Sequence, residues 1–129
     1  MINILDETIA FYGEDTSRRA MNNYGSCMYK TEDGKQCALG RKMLPDINFT
    51  SIEGQSASSL NTRMINEDKN LDDLLQEDCR DLPVGFWQRL QEIHDNHDIW
   101  TEEGINDEGT HLIERIRRSI IDETINNIL

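Results

Sequence analysis

A chain of 129 residues with 36% hydrophobic content and a formal charge of −12 is long enough to bury one core and polar enough to stay in water. Such a charge repels nucleic acid and anionic membranes and favours basic partners, so nucleic-acid binding is the first function class excluded. No apolar run reaches the length of a membrane-spanning helix, and Met1–Asp6 lacks the basic start and apolar centre of a signal peptide, so the expected location is the cytoplasm.

In chain order, Ile2, Leu5, Ile9 and Tyr12 recur at helical spacing and predict a short amphipathic helix over residues 3–12, ended by Gly13. Asp15 or Thr16 can cap a second short helix, Ser17 to Asn23, which carries the basic pair Arg18 and Arg19. Asn22–Gly25 reads as a turn. Cys27–Thr31 then reads as a strand, Asp33-Gly34 as a hairpin turn that needs positive φ, and Gln36–Leu39 as the returning strand. Gly40 permits a sharp exit into Arg41, Lys42, Met43 and Leu44 before Pro45 stops the segment. The rest of the chain is expected to pack around this hairpin.

Asp46–Gln55 alternates weakly and suggests extended chain. Ser56 is a good N-cap, with Ala57, Leu60 and Met64 on one side of a helix running to about Asn66. Leu71, Leu74 and Leu75 follow inside an acidic stretch that suits either a surface helix or an irregular loop. The clearest helix starts at Leu82-Pro83. At ~100° per residue, Phe86, Leu90, Ile93, His94 and His97 all fall near Trp87 on one face. Glu102–Gly109 reads as a polar loop after Trp100. Thr110 then caps a last helix with Leu112, Ile113, Ile116 and Ile120 inside. Ile121, Ile125 and Ile128 form a second stripe, either a change of direction or a homo-oligomer contact. The expected fold is one α+β domain over residues 1–129, its helices packed around a small β-hairpin.

The charge is concentrated. Asn66–Asp81 holds seven acids against Lys69 and Arg80, a net −5, and Glu92–Gly109 holds seven acids and no Lys or Arg, a net −7. Those two segments carry the whole −12, because the remaining 11 acids and 11 bases cancel. Asp72, Asp73, Glu77 and Asp78 in the first, and Glu102, Glu103, Asp107 and Glu108 in the second, are therefore the expected binding residues for a protein with a basic surface.

Cys27-x-Tyr29, Asp33-Gly34, Cys37-Ala38-x-Gly40, Leu44-Pro45-Asp46, Glu53-Gly54-x-Ser56 and Leu90-Gln91-x-Ile93-His94-Asp95 together resemble a group of small proteins of unassigned function from tailed phages and prophages. The resemblance spans roughly residues 17–100. It implies a compact α+β domain and a phage setting, and carries no reaction, cofactor or catalytic residue.

Three alternatives come from the remaining reactive side chains. Cys27, Cys37, His94 and His97 are the soft ligands a zinc site would need, but nine residues separate the cysteines where zinc turns use two to four. A two-residue turn pairs Lys30 with Cys37 and sends the cysteines to opposite faces; a three-residue turn pairs Tyr29 with Cys37 and brings them to one face. Three cysteines do not suggest a disulfide framework, and buried structural cysteines are expected, with no metal and no cofactor. Cys37 with His94 would be the form a small hydrolase takes, although His94 and His97 on an apolar face suit core residues bonded to backbone or to Asp95 or Asp98. A nucleotide-signal binder would draw its phosphate site from Arg18, Arg19, Arg41 or Lys42, with Tyr29 or Trp87 stacking on the base. The leading expectation is a non-enzymatic phage accessory protein that binds and inhibits a host factor, a defence component among the candidates.

Overall fold

The structure, a computed structural model, describes residues 1–21 and 28–128. Among them the fold is α+β, with helices α1 (Ile2–Glu14), α2 (Ala57–Asn66), α3 (Val84–Asp95) and α4 (Asp107–Ile128), several 3-10 turns, and the antiparallel strands β1 (Trp100–Thr101) and β2 (Gly104–Ile105). None of the described helices is long and apolar enough to cross a membrane. The chain divides into two units, Met1–Arg18 with Asn96–Leu129, and Arg19–Asp95.

In the first unit α1 buries Leu5, Thr8 and Tyr12, and packs against β2 and α4. The Tyr12 and Trp100 rings meet edge to face at 6.2 Å, and Arg117 of α4 pairs with Asp6 of α1 at 2.5 Å. Thr101 pairs with Gly104 across a turn made by Glu102 and Glu103. Gly104 closes that turn at φ 112°, a region side chains disfavour. The Thr101 hydroxyl donates to the Gly104 carbonyl at 3.0 Å and accepts from the Glu103 N–H at 3.2 Å. Asn106 caps α4: its Oδ1 accepts from the Gly109 N–H at 2.8 Å while its amide donates to the Asp98 carbonyl at 2.7 Å. The expected polar loop over 102–109 is thus a tight hairpin followed by a helix that begins three residues before Thr110. Two-residue strands around Glu-Glu offer Gly104 alone as a turn signal, too little for local pattern to reveal them.

In the second unit α2 and α3 pack together, bringing Ala57, Leu60 and Met64 against a core that includes Phe86, Trp87, Leu90 and Ile93. Ser56 caps α2 through its hydroxyl, which accepts from the Ser59 N–H at 3.1 Å. α3 ends at Asp95, and Asn96 takes the Asp98 N–H at 3.0 Å, so His97 lies past the helix and is exposed rather than on its apolar face. The acidic stretch resolves into two 3-10 turns, Leu71–Leu74 and Glu77–Cys79, which bury Leu71 and Cys79, with Leu75 buried between them. An isolated bridge between Met43 and Leu75 ties this stretch to the chain after Gly40.

The expected hairpin at Asp33-Gly34 is only partly present. Gly34 does adopt positive φ (87°), and Thr31 and Lys35 close the turn. The ladder is a single bridge, Lys30 to Gln36, in the register of the three-residue turn. It ends there because the Tyr29 and Lys30 N–H groups donate to the two Glu53 carboxylate oxygens, each at 3.0 Å, instead of to a strand. On the other arm the chain bends into the 3-10 turn Gly40–Lys42. Cys27 and the expected turn at 22–25 lie outside the described residues. The second short helix is reduced, where described, to the 3-10 turn Thr16–Arg18, whose Ser17 N–H donates to Asp15 at 3.0 Å.

Candidate functional site

Of the four expected binding acids in the Arg19–Asp95 unit, Asp72, Asp73, Glu77 and Asp78, two are engaged by the backbone. Asp73 accepts from the Asn70 N–H at 3.0 Å in a reciprocal cap, and Asp72 accepts from the Asp81 N–H at 3.1 Å, steadying Asp81 at φ 65°. Glu77 and Asp78 are exposed. In the other unit Glu102 and Glu103 form the exposed hairpin turn, and Asp107 and Glu108 occupy the first turn of α4, where helix N-terminal charge favours carboxylates. Among the described residues none of these six exposed acids is ion-paired with a base.

The other expected site residues are placed differently. Arg18 lies in the α1 unit, with its guanidinium 4.6 Å from the Phe11 ring centroid, donating to the Phe11 carbonyl at 3.0 Å and facing Glu14 at 3.7 Å. Arg19 donates to the His94 carbonyl at 2.7 Å. Arg41 and Lys42 are half-buried in their 3-10 turn. Trp87 is fully buried, and Tyr29 is 3% exposed with its hydroxyl donating to the Gln55 carbonyl at 2.5 Å. Neither ring offers a face for stacking on a base.

His94 is fully buried. The Ala20 N–H donates to its Nε2 at 3.3 Å, which leaves Nδ1 as the protonated nitrogen donating to Asp95 at 2.8 Å. Side chain and carbonyl together fasten Arg19 and Ala20 to the end of α3, the work of a core histidine. Cys37 is also buried, with the Gly40 N–H donating to its sulfur at 3.3 Å, and burial pushes its thiol up to about 12, far from a thiolate nucleophile. Burial likewise raises the Tyr29 phenol. Among the described residues no three His, Cys, Asp or Glu side chains converge as metal ligands.

Several residues at distant sequence positions hold this irregular unit together. Glu53 clamps Tyr29 and Lys30, the Gln91 amide oxygen accepts from the Leu39 N–H at 2.9 Å, and Gly40 lies so close to Tyr29 that a Cβ would stand 2.2 Å from its carbonyl oxygen. Beside Asp73 a cleft of about 530 Å³ is lined from three separate stretches of sequence, which is why its residues were not readable as a group. On α4, Ile121 and Ile125 are 44% and 48% exposed, because the helix continues without a change of direction. No protein-family model, no curated protein and no solved structure matches the chain.

Proposed function

We propose that the chain is a non-enzymatic phage accessory protein that binds a basic surface of a host protein and inhibits it, a defence component being the class of target that fits a phage setting. The observation that carries this reading is the set of six exposed acids, Glu77, Asp78, Glu102, Glu103, Asp107 and Glu108, without an ion-paired base among the described residues. Asp73 and Asp72, by contrast, each commit a carboxylate oxygen to the chain's own backbone. Carboxylates left open in both acidic segments keep their charge available to steer a cationic partner. The phage setting itself rests on the motif resemblance. The depth of Cys37 and His94 and the buried faces of Tyr29 and Trp87 speak against the hydrolase and the nucleotide binder.

Affinity capture from host lysate at low and high salt tests the reading. The parent chain should retain a host protein at low salt, and a variant with Glu77, Asp78, Glu102 and Glu103 changed to Gln or Asn should retain much less of it. Equal capture by both proteins at every salt concentration overturns the proposal.

A further inference from the structure

The geometry points to the cleft beside Asp73 as the seat of an arginine side chain from a basic protein partner. This rests on the acidic-surface reading above and gives it a site. Leu44, Ile47, Met64 and Leu74 supply the apolar part of the lining, and Asp46 and Asp73 line it with exposed carboxylates. An aliphatic stem with a cationic head matches that lining: the stem covers apolar wall while the head meets carboxylate. Arginine fits better than lysine, because its fork of five donors can be shared between carboxylates on two segments. Asp73 keeps an oxygen for this purpose, since only its Oδ2 is taken by the Asn70 N–H. Ile65, the residue after Met64 in α2, is 57% exposed and offers a partner chain apolar surface at the same helix end.

Lys69 also lines the cleft, and it makes no ion pair among the described residues. An incoming cation meets its like charge. The cleft therefore carries its own restraint on affinity, and removing Lys69 should tighten binding rather than loosen it. A general loss of surface integrity would do the opposite.

The probe is a fluorescein-labelled hexa-arginine peptide, titrated into the full chain at low salt by anisotropy, with unlabelled peptide mapped by amide NMR shifts. The largest shifts should fall on residues 44–47 and 69–74. Lys69→Gln should tighten binding about threefold and Asp46→Asn weaken it about threefold, the size expected of single exposed charges. Both positions are exposed, and matching circular dichroism spectra confirm that the variants fold. Shifts confined to residues 102–108, an unchanged or weaker Lys69→Gln, or no binding of the peptide at all would each overturn the cleft. Those results leave the wider reading intact, which fails only if host capture ignores neutralisation of the acids.

Discussion

In the unit built from α1, β1, β2 and α4, regular elements satisfy much of the backbone, and apolar side chains such as Leu5, Tyr12, Ile113 and Ile120 close the core. The Arg19–Asp95 unit has two helices and a long irregular course, and its backbone is held by side chains from distant positions. Glu53 reaches Tyr29 and Lys30, Gln91 reaches Leu39, His94 reaches Ala20, and the Gln76 amide donates to the Arg41 and Met43 carbonyls. Single polar side chains in this unit each fix a segment of backbone. Point substitutions should therefore be less forgiving there.

Two glycines give the sharpest contrast. At Gly40 an added Cβ meets the Tyr29 carbonyl oxygen at 2.2 Å, and backbone held by Glu53 cannot retreat. Gly40→Ala should cost more than about 3 kcal/mol or prevent folding. At Gly109 the added Cβ meets Ile105 Cγ1 at 2.5 Å and Ile99 Cβ at 2.8 Å. Ile105 can rotate its Cγ1 away, but the Ile99 Cβ moves only with its backbone. Alanine favours a helix over glycine by about 1 kcal/mol, so Gly109→Ala should cost about 2–3 kcal/mol, still less than Gly40→Ala. Equal urea midpoints for the two variants would dissolve the contrast.

Glu53 comes next. Glu53→Ala leaves two N–H donors without partners and should cost about 2–3 kcal/mol. Glu53→Gln should recover less than half of that, because its amide presents one oxygen and one NH₂ to two donors. Full recovery by glutamine, measured by urea unfolding, would mean that the carboxylate is not bidentate.

Legibility followed the same division. α2 was readable because Ser56, Ala57, Leu60 and Met64 form a complete local signal of cap and apolar face, and the core face of α3 was readable for the same reason. Gly34 is legible as a turn, yet the hairpin that its neighbours suggest is a single bridge, Lys30 to Gln36. Its strand amides are claimed by Glu53, 23 and 24 residues away, and no local periodicity registers such a bond. The acids were legible as charge but not as roles: nothing in the composition separates Asp73, a cap, from Asp78, an open charge.

Cys37 gives a pH-dependent test of the second unit. With its thiol raised to about 12 in the fold, its contribution is fully present below the unfolded value near ~9 and is lost as pH rises through the folded value. Between those limits stability should fall by at most about 1.4 kcal/mol per pH unit from this group, and the raised Tyr29 phenol acts in the same direction. Cys37→Ala should be less stable at pH 8 but show a shallower decline by pH 10.5. Parallel declines would mean that the thiol is not buried as described.

The smallest expected effect separates the acids of the first unit. Composition treated Glu102, Glu103, Asp107 and Glu108 as one exposed loop, whereas the structure puts the first pair in a hairpin turn and the second at the start of α4. Changing Glu102 and Glu103 to Gln removes two neighbouring like charges that touch no base, so stability should move by less than about 0.5 kcal/mol, in either direction. Changing Asp107 to Asn and Glu108 to Gln removes carboxylates from a helix N-terminus and should cost about 0.3–1 kcal/mol each at low ionic strength. Salt screens that interaction, so the gap between the two double variants should narrow as salt is raised. Association with the captured partner should not separate them in this way. Each pair removes two charges, so each should slow association severalfold at low salt and converge on the parent at high salt, with dissociation little changed. If Asp107→Asn with Glu108→Gln unfolds at the same urea concentration as the Glu102 and Glu103 variant, the helix does not begin at Asp107. If neither pair slows association, the acids of this unit serve solubility alone and the partner is held elsewhere.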